Sequence, residues 1–346
     1  MKSLGFGRVT LSSCVVAVML AGCGVLRQAQ DDMQPPVGSP EAMSQTSTIT
    51  PCTVRRAVFG VAAPDSARRG IYASEEQSSE SDVFGYPSNN RNNRGPICSE
   101  NSQPTYDLAV DDGGNLIVPN PSDTVTVFKG PGMCGRELGT LQTMYLPVDA
   151  TSSNAASGTI AVGIVLDGQS GDGSIQLCTL KRGCYANLTD GTQMDFVAAV
   201  AMSKKGDCWA SSAVPTALTY FKGCSATAQS ATGYENSDAG GLDIDNNGNL
   251  VSISCSEVSC STPLLYVYSG CDPKCKKVGG PFPLQGASWY GHLNASGTRF
   301  AAADYEYGQI DIYEYTPTSV RYMYSFNNGL SAGERMGAAY NPRSKE

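Results

Sequence analysis

A pattern of polar turn, glycine and apolar strand returns along this chain of 346 residues at intervals of about 45 residues. The glycines that mark its six copies are Gly70, Gly114, Gly158, Gly206, Gly248 and Gly297. A typical copy reads Gly114-Asn-Leu-Ile-Val, and another short apolar strand, Tyr106-Asp-Leu-Ala-Val, precedes it. Because glycine readily adopts the positive φ of a tight turn, we expect each glycine to close a hairpin.

A third strand, such as Thr124-Val-Thr-Val-Phe, and a weaker fourth strand follow each hairpin. Four antiparallel strands per unit at this period indicate a propeller blade, because one such sheet must pack its two faces against copies of itself. We therefore predict an all-β fold, a six-bladed β-propeller of four-stranded antiparallel blades over residues 52–346. Seven blades, or two β-sandwiches with accidental spacing, are the alternatives.

The C-terminal segment Met336-Gly-Ala-Ala-Tyr-Asn-Pro also has the pattern of an inner first strand. We expect it to complete the blade that begins near Val54, because pairing the two ends removes the free strand edges of an open ring.

Segments of the form Asp245-Asn-Asn-Gly-Asn-Leu-Val resemble those of NHL-repeat and gluconolactonase-like six-bladed propellers. Gluconolactonase-like propellers hold a divalent ion over the central channel with Glu, Asn and Asp side chains from different blades. The resemblance thus implies an alternative function, a metal-dependent lactonase-like hydrolase. Glu306, Asn120 and Asp304 follow predicted second strands and are candidate ligands, although such positions are also ordinary loop positions.

Residues 1–22 have the layout of a lipoprotein signal peptide. Lys2 and Arg8 precede an apolar run of roughly a dozen residues, which is too short for a stable transmembrane helix. Leu20-Ala21-Gly22-Cys23 follows and resembles the bacterial lipobox. The resemblance implies cleavage before Cys23 and its acylation, for example with palmitate. An ordinary secretory leader with a chance cysteine and a short uncleaved anchor are the alternatives.

Residues 23–51 are rich in Pro, Gln, Ser and Thr, and we predict a lipidated N-terminus followed by a disordered tether. Acyl chains on Cys23 would hold the folded part at a bilayer without a transmembrane helix. We expect the chain in a bacterial cell envelope, outside the cytoplasm. In lipoproteins of bacteria with two membranes, a small residue such as Gly24 after the cysteine usually implies the outer membrane.

Charge and cysteine content restrict partners and compartment. The formal net charge is -8, and loss of the leader would remove the positive charges of Lys2 and Arg8. Such a surface repels phosphate backbones, so nucleic acid is excluded as a partner. The 13 cysteines indicate an oxidising compartment. Once Cys14 leaves with the leader and Cys23 is acylated, an odd number remains, and at least one thiol is unpaired or pairs between chains.

Several cysteines lie close together around predicted turns or on consecutive strands. The candidate disulfides are Cys178 with Cys184, Cys208 with Cys224, Cys255 with Cys260, Cys271 with Cys275, and Cys52 with Cys98, the last pairing leaving Cys134 over. A zinc site built from Cys255, Cys260, Cys271 and Cys275 is the alternative for the third and fourth pairs, but the usual two-residue spacer is missing.

The segment Asp243-Ile-Asp245-Asn-Asn247-Gly248 places oxygen ligands at alternate positions, as a calcium loop does. The twelfth position of such a loop is Ser254, which cannot supply the bidentate acid. A polar hairpin turn accounts for this segment and also for Asp111-Asp-Gly-Gly-Asn. We favour the turn and predict no cofactor, with calcium or another divalent ion as the alternative.

The chain has a single histidine, His292, on a predicted inner strand, so mechanisms that need two imidazoles are excluded. A structural role for His292 is the more common one. Serine-hydrolase elbows and phosphate-binding loops are absent from the sequence. We therefore predict a lipid-anchored binding module whose partner is a protein or glycan of the cell envelope, with the metal-dependent hydrolase as the alternative.

Overall fold

Short β-strands make up nearly all the regular structure in the computed structural model of the protein. It describes residues 70–75, 82–100, 102, 104–165, 173–190, 194, 196–213, 216–235, 239–255, 260–332 and 337–341. All of them lie in one unit that spans Pro64–Glu346. The leader, the tether, Cys52 and Val54 lie outside the described residues. Within the described ranges, no helix combines the length and the apolar character that a membrane crossing needs.

Six sheets of four antiparallel strands form the blades. The first twelve strands are β1 (Gly70–Glu75), β2 (Asp82–Pro87), β3 (Cys98–Glu100), β4 (Ala109–Val110), β5 (Leu116–Asn120), β6 (Thr124–Phe128), β7 (Glu137–Gln142), β8 (Leu146–Thr151), β9 (Ile160–Val165), β10 (Ser174–Thr179), β11 (Gly183–Leu188) and β12 (Val197–Met202). The others are β13 (Cys208–Ala213), β14 (Thr216–Phe221), β15 (Ala228–Ser230), β16 (Ala239–Ile244), β17 (Leu250–Ser254), β18 (Leu264–Ser269), β19 (Lys276–Pro283), β20 (Ser288–Leu293), β21 (Arg299–Asp304), β22 (Gln309–Thr316), β23 (Ser319–Phe326) and β24 (Ala338–Tyr340). A 3₁₀ turn, Lys222–Cys224, follows β14.

The predicted six-bladed, all-β propeller is confirmed. Blades 2 to 6 consist of consecutive strands, from β4–β7 through β20–β23. Blade 1 has the order β24-β1-β2-β3, so its inner strand comes from the C-terminus. Tyr72 of β1 pairs with Ala339 of β24, as the C-terminal pattern predicts. This pairing closes the ring with antiparallel hydrogen bonds and leaves no open edge between the first and last blades.

Each blade buries both of its faces, because residues on a strand point alternately to opposite sides of the sheet. On β5, Leu116 and Val118 pack toward blade 1, whereas Ile117 packs toward blade 3. Six apolar clusters of this kind lie among the described residues, one at each junction between neighbouring blades. The apolar pattern of a single blade is therefore satisfied only when the ring is complete.

The repeat glycines follow the predicted turn conformation at four of their six positions. Gly114, Gly206, Gly248 and Gly297 have positive φ, and each lies between the first and second strands of a blade. Gly158 does not, because the preceding turn is wider and the amides of Ser157 and Gly158 both donate to the carbonyl of Asn154. Gly70 does not have a positive φ either. It begins β1, whose inner neighbour β24 comes from the C-terminus, so no hairpin turn joins these two strands.

Five disulfides lie within the described residues. Four are the short-range pairs that the sequence favours, Cys178–Cys184, Cys208–Cys224, Cys255–Cys260 and Cys271–Cys275. Because Cys255, Cys260, Cys271 and Cys275 are all disulfide-bonded, they offer no thiolate to a zinc site. The pairing of Cys98 with Cys52 is wrong, because Cys98 bonds to Cys134. Blades 1 and 2 pack side by side, and this packing brings β3 close to the loop after β6. The distance between Cys98 and Cys134 along the chain does not reveal this contact.

Candidate functional site

Four ionisable side chains from the inner strands of four blades meet at the centre of the ring. Asp107 lies two residues before β4 of blade 2, Asp149 lies on β8 of blade 3, Asp243 on β16 of blade 5 and His292 on β20 of blade 6. Asp107 and Asp149 are completely buried, and the other two are partly covered. We call this group the axial cluster.

His292 lies between two carboxylates of the axial cluster. Its Nε2 atom is 3.1 Å from Oδ2 of Asp107, and its Nδ1 atom is 3.6 Å from Oδ2 of Asp243. Burial alone would lower the pKa of His292, but the charge of Asp107, the hydrogen bond to Asp107 and the nearby carboxylate of Asp243 raise that pKa well above its usual value. The two carboxylates thus favour the imidazolium form of His292, a form that cannot act as a general base.

Backbone amides fix the carboxylates of the axial cluster. The amide of Val200 in blade 4 donates to Oδ2 of Asp149 at 2.7 Å, and the amide of Leu293 in blade 6 donates to Oδ2 of Asp243 at the same distance. Each of these carboxylates thus accepts a hydrogen bond from the inner strand of the following blade. The adjacent amides of Leu108 and Ile244 donate to Oδ1 of Asp107 and of Asp243 in the same way. These bonds to charged acceptors hold the side chains in fixed orientations.

Asp149 has an unusual environment within the axial cluster. In the described part of the chain its Oδ1 atom is buried without a hydrogen bond of good geometry, although an interaction with the backbone of Ala150 lowers the pKa of Asp149. Burial, and then the charge of Asp107, raise the pKa of Asp149 to about 7, although the charge of His292 acts in the opposite direction. One ligand atom each of Asp107, Asp149 and His292 lies within 4.8 Å of the others. A buried carboxylate oxygen without a donor is costly unless a proton or a cation satisfies it.

An open funnel leads from one end of the ring to the axial cluster. Its volume is about 470 Å³, and the turns between the first and second strands of the blades form its wall. Asp243 and His292 lie on its surface, whereas Lys204, Lys205 and Asp112 carry charges of both signs around it. All six blades contribute residues to this funnel. Loops of blades 2 to 6 and the inner strand of blade 1 thus form one surface, and the rigid ring holds them in position.

The turns at this end of the ring are held by buried aspartates. Oδ1 of Asp245 accepts from the amides of Asn247 and Asn249, and its Oδ2 accepts from the hydroxyl of Tyr315 in blade 6. Asp111 makes equivalent bonds in blade 2. The structure thus assigns Asp245 the role of a turn residue that we favoured, and it directs Asp243, from the same segment, to His292.

The candidate ligands taken from the gluconolactonase resemblance are not brought together. Asn120 ends β5 of blade 2 and bonds to Ser102 and Thr126. Asp304 ends β21 of blade 6, where its Oδ1 atom accepts from the amides of Ala287 and Glu306. Glu306 itself is exposed. These residues do not form the ligand set that holds the divalent ion in gluconolactonase-like propellers.

Sequence reasoning singled out His292 and Asp243 but missed Asp107 and Asp149. A weak signal exists in the sequence, because each residue is an ionisable group followed by an apolar residue within or just before an inner strand. Those dipeptides are Asp107-Leu108, Asp149-Ala150, Asp243-Ile244 and His292-Leu293. Their distances from the repeat glycine of the same blade differ, however, so aligning the inner strands by their turns would match only Asp243 with His292.

The structure resembles several solved propellers at low sequence identity. The WD40 domain of coronin from Toxoplasma gondii has a TM-score of 0.53 at 13% identity, with 77% of this chain and 70% of that chain covered. A chain in the structure of a nidogen/laminin complex has a TM-score of 0.55 at 11% identity, with 79% and 98% covered. A chain of hydrazine synthase from Kuenenia stuttgartiensis has a TM-score of 0.52 at 12% identity, with 83% and 94% covered.

No protein-family model and no curated protein matches the sequence. The structural similarities therefore establish the propeller fold alone, since a propeller ring serves many unrelated functions.

Proposed function

We propose that this protein is an interaction module of a bacterial cell envelope, held outside the cytoplasm by a lipid on Cys23, and that it binds a protein partner in the funnel. The observation that carries the binding role is the funnel itself, an open cavity of about 470 Å³ to which all six blades contribute. Propeller folds commonly bind partners through loops gathered at one end of the ring.

The charges around the funnel suit a polar protein surface. Lys204 and Lys205 lie beside Asp112, Asp207 and Asp272, so the wall presents separated charges of both signs. The Lys204–Asp112 pair is exposed and long, at 3.9 Å, and a partner's side chains can compete for each charge. Mixed charge of this kind favours specificity of association.

The axial cluster favours binding over hydrolysis. His292 is the only histidine of the chain, and both of its ring nitrogens face carboxylates. The metal-dependent hydrolase stays an alternative function, but Glu306, Asn120 and Asp304 give it no support.

Site-specific photocrosslinking in the native host tests the binding role. A photoreactive amino acid at Lys204 or Asn246, both on the funnel wall, is expected to give a discrete crosslinked protein band. The matched control places the same residue at Tyr322, an exposed position on the outer strand of blade 6. Equal crosslinking from Tyr322, or none from the funnel, would contradict the proposal. Crosslinks to glycan alone would mean that the partner is a glycan and not a protein.

Metabolic labelling tests the anchor. A clickable palmitate analogue is expected to label the wild-type protein. The labelled protein is expected in the outer-membrane fraction. Cys23→Ser is expected to abolish the label and to release the protein from the membrane fraction, because no other acylation site is predicted. Labelling that persists in Cys23→Ser would contradict lipidation at this residue.

A further inference from the structure

We infer that the axial cluster is a metal site that binds one divalent transition-metal ion, for which zinc fits best, through Asp107, Asp149 and His292. This site is distinct from the ligand set of the gluconolactonase resemblance. It also goes beyond the proposed binding role, because it concerns the centre of the ring and not the funnel wall.

The positions of the ligand atoms carry this inference. In a tetrahedral site with bonds near 2.0–2.2 Å, two ligand atoms of one zinc ion lie about 3.4 Å apart. Nε2 of His292 and Oδ2 of Asp107 are 3.1 Å apart, and the Asp149 carboxylate completes a trio within 4.8 Å. Small side-chain movements would therefore bring all three atoms to one ion.

The hydrogen bonds leave suitable oxygens available for an ion. Asp107 uses Oδ1 for the amide of Leu108, and Asp149 uses Oδ2 for the amide of Val200. Among the described residues, Oδ2 of Asp107 bonds to His292 alone, and Oδ1 of Asp149 is buried with no hydrogen bond of good geometry. A cation would satisfy that oxygen, which otherwise carries a desolvation cost.

Asp243 occupies the position of a residue that orients a metal-bound histidine. Its Oδ2 atom lies 3.6 Å from Nδ1 of His292, while the amides of Ile244 and Leu293 hold the carboxylate. An acceptor at Nδ1 places the ring proton there and leaves the Nε2 lone pair for the ion. On binding, the ion takes the place of the proton that joins Nε2 to Asp107. Asp243 is thus a positioning residue.

The ligand set selects the type of ion. Two carboxylates and one imidazole suit zinc and neighbouring transition metals, and the two carboxylate charges balance a divalent ion. Calcium requires six to eight oxygen ligands, which this narrow site does not offer from its side chains. Because the ligands come from blades 2, 3 and 6 and two of them are completely buried, the ion would tie three blades together at the centre of the ring.

The test uses the mature full-length chain, purified without a polyhistidine tag and without chelator. We expect about one zinc per chain after reconstitution, and a rise in Tm of about 5 °C at a zinc concentration a hundred times the Kd. X-ray absorption at the zinc edge is expected to show oxygen and imidazole scattering. Because His292 is the only histidine, any imidazole signal identifies this residue.

Three variants separate the site from general effects on folding. Asp149→Asn is expected to lose the bound zinc and the Tm shift, and Asp243→Asn to weaken zinc binding about 10–100-fold. Asp311→Asn is the matched control, because Asp311 is also a buried aspartate with an unpartnered oxygen but, within the ranges that the structure describes, forms no such trio with His292. It should keep zinc at the wild-type level.

Several results would overturn the inference. The first is binding of less than about a tenth of an equivalent of zinc per chain with no Tm shift. The second is sulfur as the main zinc ligand. The third is equal zinc binding by the wild type and Asp149→Asn. The absorption spectrum of the wild type decides the matter even if Asp149→Asn fails to fold. Funnel crosslinking is measured separately, so failure of either proposal leaves the other open to its own test.

Discussion

Nε2 of His292 lies 3.1 Å from Oδ2 of Asp107, although 185 residues separate them along the chain. The two residues belong to blades 6 and 2, which are not neighbours in the ring because blade 1 lies between them. Apolar packing joins each blade only to the next one. The ion pair therefore adds a direct link across the centre, and the charges of Asp107 and Asp243 depend on His292 for compensation.

Loss of the imidazolium should destabilise the ring. In chelator-treated protein, His292→Gln keeps a polar side chain but removes the positive charge, and it leaves the buried Asp107 carboxylate without its counter-ion. We expect the free energy of unfolding to fall by about 3–5 kcal/mol, the usual effect of breaking a buried ion pair. Urea denaturation at neutral pH measures the change.

The matched control for His292→Gln breaks an exposed ion pair. Lys277→Ala removes the partner of Glu235 on the protein surface and should cost about 1 kcal/mol or less. A similar loss in both variants would mean that His292 has no special role at the centre of the ring.

The six-bladed fold could be predicted from the sequence because a blade is a local unit. The strands β5 and β6, for example, follow directly from Gly114-Asn-Leu-Ile-Val and Thr124-Val-Thr-Val-Phe, and the hairpin turns fix their pairing. The axial cluster could not be predicted in this way. Asp149 and His292 lie far apart in sequence, and only closure of the ring brings their strands together.

The disulfides show the same difference between contacts within one blade or loop and contacts between blades. Cys255 and Cys260 pair within one loop, so their separation along the chain suffices to predict the bond. Cys98 and Cys134 pair between blades 1 and 2, and their proximity depends on how the blades pack. Local pairs are visible in the sequence, whereas pairs between blades are not.

The disulfide Cys98–Cys134 should be the most stabilising of the five, because it closes the longest loop, with a sequence separation of 36. In the chain-entropy relation, replacing both residues with serine costs about 4 kcal/mol, compared with about 2 kcal/mol for the Cys271–Cys275 pair. Urea denaturation of both double-serine variants measures the difference. Peptide mapping without reduction should also recover the 98–134 link, and recovery of Cys98 linked to Cys52 would contradict the assignment.

Closure of the ring by the C-terminal strand gives another prediction. A chain that ends at residue 336 lacks β24, so β1 loses the partner that pairs with Ile71, Tyr72 and Ala73. We expect loss of a single cooperative unfolding transition and binding of a hydrophobic dye, because the inner edge of blade 1 is exposed. Calorimetry and dye fluorescence measure these effects.

A shorter truncation provides the control for ring closure. Ending the chain at Asn341 keeps β24 and the bond from the amide of Asn341 to the carbonyl of Gly70. This variant should unfold as the full chain does. If both truncations behave alike, pairing between β24 and β1 does not close the ring.

The pH dependence of stability should depend on Asp311. Burial, and then the charge of Asp304, raise the pKa of Asp311 to about 8. In the unfolded chain an aspartate has a pKa of about 3.9, so between these values the folded state keeps a proton that the unfolded state releases. The free energy of unfolding should therefore fall as pH rises from about 4 to about 8, by up to ~1.4 kcal/mol per pH unit from this group.

Asp311→Asn isolates this contribution, because asparagine has nearly the same shape as a protonated aspartate and does not ionise. Relative to the wild type, the variant should gain stability progressively as pH increases from 5 to 8. Asp112→Asn, which changes an exposed aspartate, should leave the slope unchanged. Urea denaturation at several pH values gives the three curves, and parallel curves for the wild type and Asp311→Asn would show that Asp311 is already ionised in the folded protein.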